Sequence, residues 1–598
     1  MNTAARNQIR SISTLARVAR NALAATCLAS TLHLGLAANA HADTAPLDTP
    51  HLGTPLDLPI TLAGSYLAAR LADMEKDFAQ SAAFYQEALS TDPDNNMLLD
   101  RAFMLSLANG EIFVALNYAE ELKSLNAETF VGPLTRAANE ITLENYSEAA
   151  EILAPVNVGP LAQLTVDISR AWALYGTGQV DEALNTIEEL DGPEWFDVFK
   201  STHKAYIAFA AGRTKQALKE IEKAYNQDNG ALRVIDTYAR ILAANDKTDV
   251  ALSVLNDYEQ LIPGHPLIAA TRAEVEAGTA GHPYVTTPQQ GVSEILYGLG
   301  AAIGREGAQE LSTVYLQLAL YLNPRAEFAA LALAGQFELM DQTQRSIDTL
   351  SMIPDDSPLK RDAEIQIGMN YDAIDDLEQA REHLENLIKQ DPDDLEAIVS
   401  LGNILRSREI YDEAYDIYSM AIDKVSEPSA EHWTMFYFRG ICLERLDRWS
   451  EAEADLRKAL ELQEDQPLVL NYLGYSLVDQ GFKLPEALEM IERAVELRPR
   501  DGYIVDSLGW AYYRLGRYEE AVVELERAIE LRSSDPVIND HLGDAYWKVG
   551  RRIEARFQWN HARDLEPAEK DLPIILEKIK NGMPTEDAGK VSIEQSDG

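Results

Sequence analysis

The stretch that decides the fold is DSLGWAYYRLGRYEEAVVELERAIEL, residues 506–531. A related stretch, HLGDAYWKVGRRIEARFQWNHARDLE, follows at residues 541–566, and both carry Leu-Gly, Tyr and Ala at positions that coincide after a shift of 34 residues. Outward from this pair, fourteen units of this length cover 62–265, 293–428 and 433–569. Self-similarity at a fixed period of roughly 20–50 residues is typical of repeat architectures rather than of several separate domains.

Three positions of the unit keep one type of side chain. Position 8 is Gly or Ala in thirteen of the fourteen units, position 20 is Ala or Ser, and position 24 is apolar. Small residues let two helices approach to ~8–10 Å, and the larger side chain fills the groove beside their contact. Glycine at position 15, as in Gly516 and Gly550, lies where the first helix must end, because glycine readily adopts the left-handed C-cap conformation. The sequence therefore predicts one antiparallel helix pair per unit.

This pattern resembles the tetratricopeptide repeat family, whose signature has the form W-x2-L-G-x2-Y…A-x3-F…P. The residues that carry the resemblance are Ile367-Gly368, Tyr371, Ala380, Leu384 and Pro392, then Leu508-Gly509, Tyr512, Ala521, Leu525 and Ala528, then Leu542-Gly543, Tyr546, Ala555, Trp559, Ala562 and Pro567. The resemblance implies an all-α fold, an α-solenoid of antiparallel helix pairs that stack as a superhelix.

The repeat frame also predicts how the chain is organised. Glycines and prolines interrupt the frame at 266–292, which we interpret as a linker or hinge between two repeat blocks. Apolar residues on one helical face after the last unit predict a helix that caps it. The predicted segments are a signal peptide at 1–42, a linker at 43–61, a first block at 62–265, the linker at 266–292, a second block at 293–569, a capping helix at 570–582 and a disordered tail at 583–598.

The N-terminal 42 residues resemble a targeting segment. Four arginines and no acidic residue accompany an apolar run from about Ala22 to Ala38, and Ala40-His41-Ala42 fits an A-x-A cleavage site. We therefore expect a secretory signal peptide, cleavage before Asp43 and a periplasmic protein. Two alternatives remain, a mitochondrial presequence and lipid attachment at Cys27, although the residues before Cys27 match the lipoprotein pattern poorly.

Composition and motifs exclude several function classes. The 598 residues carry 97 acidic against 52 basic side chains, a net charge of −45 that disfavours binding to nucleic acid. Two cysteines exclude a disulfide scaffold, and Cys442 occupies a packing position of its repeat. Motifs of hydrolases, metalloproteases and nucleotide-binding enzymes do not occur, so we expect no catalytic residue, metal or cofactor. An enzyme remains an alternative only if 96–265, where the repeat signature is weaker, holds a different domain.

With these classes excluded, the candidate functional residues are those that the repeats expose on their surface. In the resembled family, the first helices line a concave face and present positions 2, 5, 9, 12 and 13 to a ligand. Tyr and Trp are common binding hot spots, and Asn or Asp can bond a peptide backbone. The candidate peptide-binding residues in the last four units are Tyr437, Asn471, Tyr475, Tyr503, Asp506, Trp510, Tyr513, Asp540, Asp544 and Trp547. Such a groove is expected to prefer apolar or basic segments. The competing interpretation is that these rings cover neighbouring repeats or the capping helix.

Together these observations favour a non-enzymatic scaffold or adaptor of the bacterial cell envelope that binds a protein or peptide. The C-terminal repeats look similar to those of large envelope proteins of this family, including a lipoprotein adaptor of a C-terminal-processing protease. That similarity implies a periplasmic protease or an envelope assembly complex as the partner, without identifying it. The alternative is a structural component of an outer-membrane or polysaccharide-export complex.

Overall fold

A computed structural model describes residues 61–154 and 158–583. The predicted signal peptide, Cys27 and the tail from residue 584 onward lie outside the described residues. Within the described ranges the chain forms thirty α-helices and one short 3-10 helix, Ala430–His432, and contains no β-strand. None of the helices in these ranges is both long enough and apolar enough to cross a membrane.

The chain divides into two compact units, the first ending at His383 and the second beginning at Leu384. The helices before the boundary are α1 (Leu62–Met74), α2 (Phe78–Thr91), α3 (Asn96–Ala108), α4 (Ile112–Ser124), α5 (Val131–Thr142), α6 (Tyr146–Leu153), α7 (Pro160–Gly176), α8 (Val180–Glu188), α9 (Phe196–Ala210), α10 (Thr214–Gln227), α11 (Leu232–Ala243), α12 (Thr248–Leu261), α13 (Pro266–Glu276), α14 (Pro288–Arg305), α15 (Gln309–Leu322), α16 (Glu327–Glu338), α17 (Thr343–Leu350) and α18 (Lys360–Ala373). The boundary falls within α19 (Leu377–Gln390).

The helices after the boundary are α20 (Leu395–Ser407), α21 (Tyr411–Lys424), α22 (Trp433–Arg445), α23 (Trp449–Leu462), α24 (Pro467–Gln480), α25 (Leu484–Leu497), α26 (Gly502–Arg514), α27 (Tyr518–Leu531), α28 (Pro536–Lys548), α29 (Arg552–Asp564) and α30 (Leu572–Asn581). Each of the fourteen predicted repeat units corresponds to one helix pair, from α1 and α2 to α28 and α29. The prediction of an all-α solenoid of antiparallel helix pairs is therefore confirmed.

The pair α26 and α27 shows how local sequence fixes these boundaries. Asp501 caps α26, because its carboxylate accepts a hydrogen bond from the backbone N–H of Tyr503 at 3.1 Å. Gly516 has φ = +76°, the left-handed conformation predicted at the end of the first helix. Glu519 and Glu520 lie in the first turn of α27, where negative charge stabilises the helix dipole.

Packing within each pair depends on the contact between positions 8 and 24. A Cβ added to Gly402 would lie 2.9 Å from Cε1 of Tyr418, and one added to Gly509 would lie 2.5 Å from Cγ of Leu525. Both distances are shorter than real side chains tolerate, so the first helix needs a small residue there. The predicted role of these positions is confirmed.

Within the first unit, helices far apart in sequence pack together. Helices α14 and α15 contact α3, α5 and α7. Arg101 on α3 bonds both Asp73 on α1 and Glu310 on α15, each at 2.8 Å. Gln342 donates a hydrogen bond at 2.7 Å to the backbone carbonyl of Lys76. The first predicted block and the part of the second predicted block up to His383 therefore belong to one packed unit.

The segment 266–292 differs from the predicted hinge. It contains α13 and the first turn of α14, and the loop between them packs onto the first unit. The hydroxyl of Tyr284 lies 2.6 Å from that of Tyr206, and the guanidinium of Arg233 lies 4.2 Å from the centre of the Tyr284 ring. Its glycines and prolines correctly mark turns. The sequence pattern does not reveal that Tyr284 and the buried Val285 anchor the loop.

Candidate functional site

The ten candidate residues lie on the first helices of the last four helix pairs, as predicted. Helix α22 carries Tyr437, α24 carries Asn471 and Tyr475, α26 carries Tyr503, Asp506, Trp510 and Tyr513, and α28 carries Asp540, Asp544 and Trp547. Their surroundings differ strongly, because several of these side chains are already engaged by other parts of the second unit.

Trp510 lies between two other rings. Its indole stacks on Tyr513 with 4.8 Å between ring centres and an interplanar angle of 9°. The indole also stacks on the imidazole of His541, with 4.0 Å between ring centres and an interplanar angle of 14°. Tyr513 follows one helical turn later on α26, whereas His541 comes from α28 of the next repeat. The three-ring stack thus ties two repeats together and leaves Trp510 and Tyr513 half-exposed.

His541 holds the predicted ligand residue Asp506. Its Nδ1 lies 3.0 Å from one carboxylate oxygen of Asp506 and 3.1 Å from the other, and both side chains are buried. Burial alone disfavours the charged imidazolium, but the carboxylates of Asp506, Asp540 and Asp544 together outweigh burial and raise the pKa of His541 above its usual value. The repeat pattern does not predict this pairing, and its only trace in the sequence is the spacing of 35 residues between Asp506 and His541.

The last repeat is covered by the capping helix. Nζ of Lys578 on α30 donates to a carboxylate oxygen of Asp540 at 2.7 Å and of Asp544 at 2.8 Å. Asp544 also accepts from Nε1 of Trp559 at 2.9 Å, and Trp547 packs closely against Gly582 at the end of α30. Burial raises the pKa of Asp544 despite the nearby ammonium group. At these three positions the competing interpretation, contact with the capping helix, describes the structure.

Tyr437 and Tyr503 also have neighbours within the second unit. Tyr437 is 9% exposed, with its ring centre 5.9 Å from that of Tyr472, and burial raises the pKa of Tyr437 to about 12. The guanidinium of Arg532 lies 4.4 Å from the ring centre of Tyr503, which stays 37% exposed. Tyr437 is therefore a packing residue between repeats, whereas Tyr503 keeps an exposed ring face beside Arg532.

Two buried polar atoms of the remaining candidate residues lack a hydrogen-bond partner among the described residues. They are Oδ1 of Asn471 on α24 and Nε1 of Trp510 on α26, an acceptor and a donor on adjacent first helices. Leaving such groups unpaired away from water costs about 1–3 kcal/mol each. Tyr475, half-exposed on α24, lies on the same set of helices. We use the name aromatic groove for Asn471, Tyr475, Trp510 and Tyr513.

The acidic character expected of this groove is largely neutralised. Asp506 bonds His541, Asp540 and Asp544 bond Lys578, and the nearby Asp479 bonds Arg514 at 2.9 Å. The predicted preference for basic segments therefore loses its physical basis, whereas the preference for apolar segments keeps it.

The described ranges offer little support for a metal site, a reactive thiol or a separate enzyme domain. They hold no group of three His, Cys, Asp or Glu side chains that could bind a metal ion. Burial raises the pKa of the Cys442 thiol to about 12, which leaves it protonated and unreactive near neutral pH. Helix pairs α3–α4 to α11–α12 fill the described part of 96–265, the segment in which a different domain remained an alternative.

Comparison with known proteins supports the repeat assignment. Sequence profiles described as tetratricopeptide repeat and TPR repeat match residues 365–429 and 509–550. A TPR repeat-containing protein of Pseudomonas aeruginosa is 35% identical over 101 residues. That match covers 17% of this chain and 17% of the relative, so the chain spans about a sixth of that relative's length.

Solved structures show similar helical repeats at low identity. The APC/C hetero-tetramer Cut9-Hcn1 is 15% identical with a TM-score of 0.36, and the match covers 87% of this chain and 96% of that one. YrrB, described as a TPR protein with an unusual peptide-binding site, is 24% identical with a TM-score of 0.24, over 29% of this chain and 86% of that one. Neither similarity identifies a partner for this chain.

Tetratricopeptide repeat proteins generally serve as scaffolds for protein–protein interaction, and they are typically not enzymes. The helix pairs, the contacts between positions 8 and 24, and the two profile matches agree with one another. The chain therefore contains tetratricopeptide repeats at residues 365–429 and 509–550.

Proposed function

We propose that the second unit binds an extended segment of a partner protein in the aromatic groove. The observation that carries this proposal is the unpaired acceptor of Asn471 and the unpaired donor of Trp510 on neighbouring helices. An extended peptide presents N–H and C=O groups along its length, so a bound backbone can pair with both once covering side chains shift.

The rings beside these atoms supply the rest of the binding energy. Trp510 is preorganised by its stack on His541, so little conformational entropy is lost when a ligand packs against it. Because the neighbouring carboxylates already have cationic or imidazole partners, the groove selects apolar or aromatic side chains rather than basic ones. Tyr475 extends the apolar surface to the preceding repeat.

The proposed setting is the periplasm of a bacterial cell, where the chain acts as a non-enzymatic adaptor. The arginine-bearing apolar segment at 1–42 and the site Ala40-His41-Ala42 support this location. The proposed partner is a periplasmic protein such as a C-terminal-processing protease or its substrate. N-terminal sequencing of the protein from a periplasmic fraction tests the location, and a first residue other than Asp43 contradicts the proposed cleavage site.

Photo-crosslinking from the intact chain tests the groove without depending on a destabilising variant. A photoreactive phenylalanine analogue placed at Tyr475 is expected to capture a partner in envelope extract. The matched control places the same analogue at Phe113, an aromatic residue of the first unit that is 73% exposed. Adducts at both positions in equal yield, or at neither, contradict binding in the groove.

A substitution at Trp510 tests the role of its unpaired indole Nε1. Trp510→Phe keeps an aromatic ring in the stack but removes the N–H donor together with one of the two fused rings, so we expect weaker capture by roughly fivefold or more with unchanged folding. Unchanged capture contradicts the assigned role of Nε1. A partner that stays bound in a stable, fixed complex independently of this variant indicates the alternative function, a structural component of an envelope assembly.

A further inference from the structure

The outer face of α29 carries an unusual surface that the aromatic groove does not include. Ile553 is 85% exposed and Phe557 is 68% exposed, one helical turn apart. Arg552 and Arg556 lie one turn apart beside them, and both are also exposed. These four side chains occupy adjacent rows of one helix face, and we call them the basic-apolar patch.

The patch departs from the chemistry of the preceding repeat. The equivalent residues of α27 are Tyr518, Glu519, Val522 and Val523. Helix α27 contains five glutamates and one arginine, whereas α29 contains three arginines against one glutamate and one aspartate. In a chain of net charge −45, this face is locally basic.

The two guanidinium groups of the patch have no carboxylate partner among the described residues. They lie instead over the ring of Trp547, at 5.0 Å for Arg552 and 5.8 Å for Arg556. The neighbouring Arg551, by contrast, pairs with Glu526 at 2.8 Å and with Glu554 at 3.1 Å. The patch therefore presents positive charge beside two large apolar side chains.

We infer that the basic-apolar patch docks an acidic segment of a partner protein, one that carries an apolar side chain between carboxylates. The carboxylates pair with Arg552 and Arg556, and the apolar side chain packs on Ile553 and Phe557. An anionic membrane is a poorer fit, because membrane-binding surfaces use roughly four to eight basic residues in one cluster. This site is separate from the aromatic groove, so the two can fail independently.

Fluorescence anisotropy with the full chain tests this inference. The probe is a short fluorescein-labelled peptide that alternates aspartate and leucine, and the control probe replaces aspartate with lysine. We expect salt-sensitive binding of the acidic probe only. Phe557→Ser is expected to weaken binding by roughly tenfold or more, and Arg552→Glu/Arg556→Glu by a similar factor at low salt. Val523→Ser, at the equivalent position of α27, and Trp510→Phe should leave binding unchanged.

Several results would overturn the inference. Equal binding of the lysine probe, or equal affinity of Phe557→Ser and the wild-type chain, shows that the patch does not recognise acidic apolar segments. Flotation with phosphatidylglycerol vesicles that is lost in Arg552→Glu/Arg556→Glu, without peptide binding, assigns the patch to a lipid surface. Self-association lost in the same variant, again without peptide binding, assigns it to a second copy.

Discussion

Replacement of Lys578 by methionine should release the capping helix from the last repeat. The ammonium group of Lys578 bonds Asp540 and Asp544, and its side chain is 14% exposed while that of Asp544 is 5% exposed. Methionine keeps much of the length and apolar area of the lysine stem but removes the charge. The variant leaves a buried carboxylate with the indole N–H of Trp559 and without its cation.

The expected cost follows from these contacts. Removing one partner of a buried ion pair costs about 3–5 kcal/mol, and the partial exposure of Asp540 places the present case near 3 kcal/mol. Helix α30 otherwise buries only Ile575 fully, which contributes about 1.5–3 kcal/mol. A loss of about 3 kcal/mol raises the population of the opened helix roughly 100-fold.

Hydrogen exchange measured by mass spectrometry is the suitable assay, because repeat proteins open locally and a single unfolding free energy describes them poorly. Amides of α30 should exchange roughly 100-fold faster in Lys578→Met, while those of α20 and α21 stay unchanged. Asp544→Asn in the same background should restore part of the protection, since it removes the unpaired charge. Equal exchange of α30 in the wild-type chain and in Lys578→Met would refute this account of what holds the helix.

Three further predictions concern packing, pH and thiol reactivity. Gly543→Ala places a Cβ within overlap distance of the Trp559 indole and should destabilise the last repeats by about 1–3 kcal/mol in urea unfolding, whereas Gly335→Ala, with open space around it, should gain up to about 1 kcal/mol. Because the folded protein raises the pKa of His541, the stability that this residue contributes is complete below its ordinary pKa of 6.5 and is lost as the pH rises through the folded pKa. The difference in unfolding free energy between the wild-type chain and His541→Gln should therefore shrink at alkaline pH. A difference that grows with pH contradicts the pairing with Asp506. In a Cys27→Ser background, Cys442 should react with a thiol reagent only on unfolding, and rapid labelling of the native chain argues against its burial.

The helix pairs could be predicted from sequence because their contacts recur at fixed positions. Gly509 and Leu525 belong to one unit and meet in the structure as their positions predict. The partners that bury or neutralise the candidate ligand residues could not be predicted in this way. Lys578 follows Asp544 by one repeat length, 34 residues, but it lies on a helix outside the repeat frame, where the pattern does not predict a lysine.

The structure of segment 266–292 could not be predicted from the sequence for a related reason. Glycines and prolines at 266–292 mark turns, but the same pattern describes either a hinge or an anchored loop. Tyr284 decides between them through its contacts with Tyr206 and Arg233, which lie on different helices. Such contacts depend on tertiary packing, which a repeat pattern does not encode.

The bond between Gln342 and Lys76 also bears on how the first unit folds. In most repeat proteins each repeat contacts only its neighbours, so folding can begin anywhere and spread along the chain. Here Arg101 joins Glu310 across 209 residues, and Gln342 joins Lys76 across 266. Closing chain segments of that length costs entropy before the contacts repay it, which slows folding and couples the two ends of the unit. Shortening the chain one repeat at a time from Leu62 should therefore weaken helices near residue 340, not only those beside the cut.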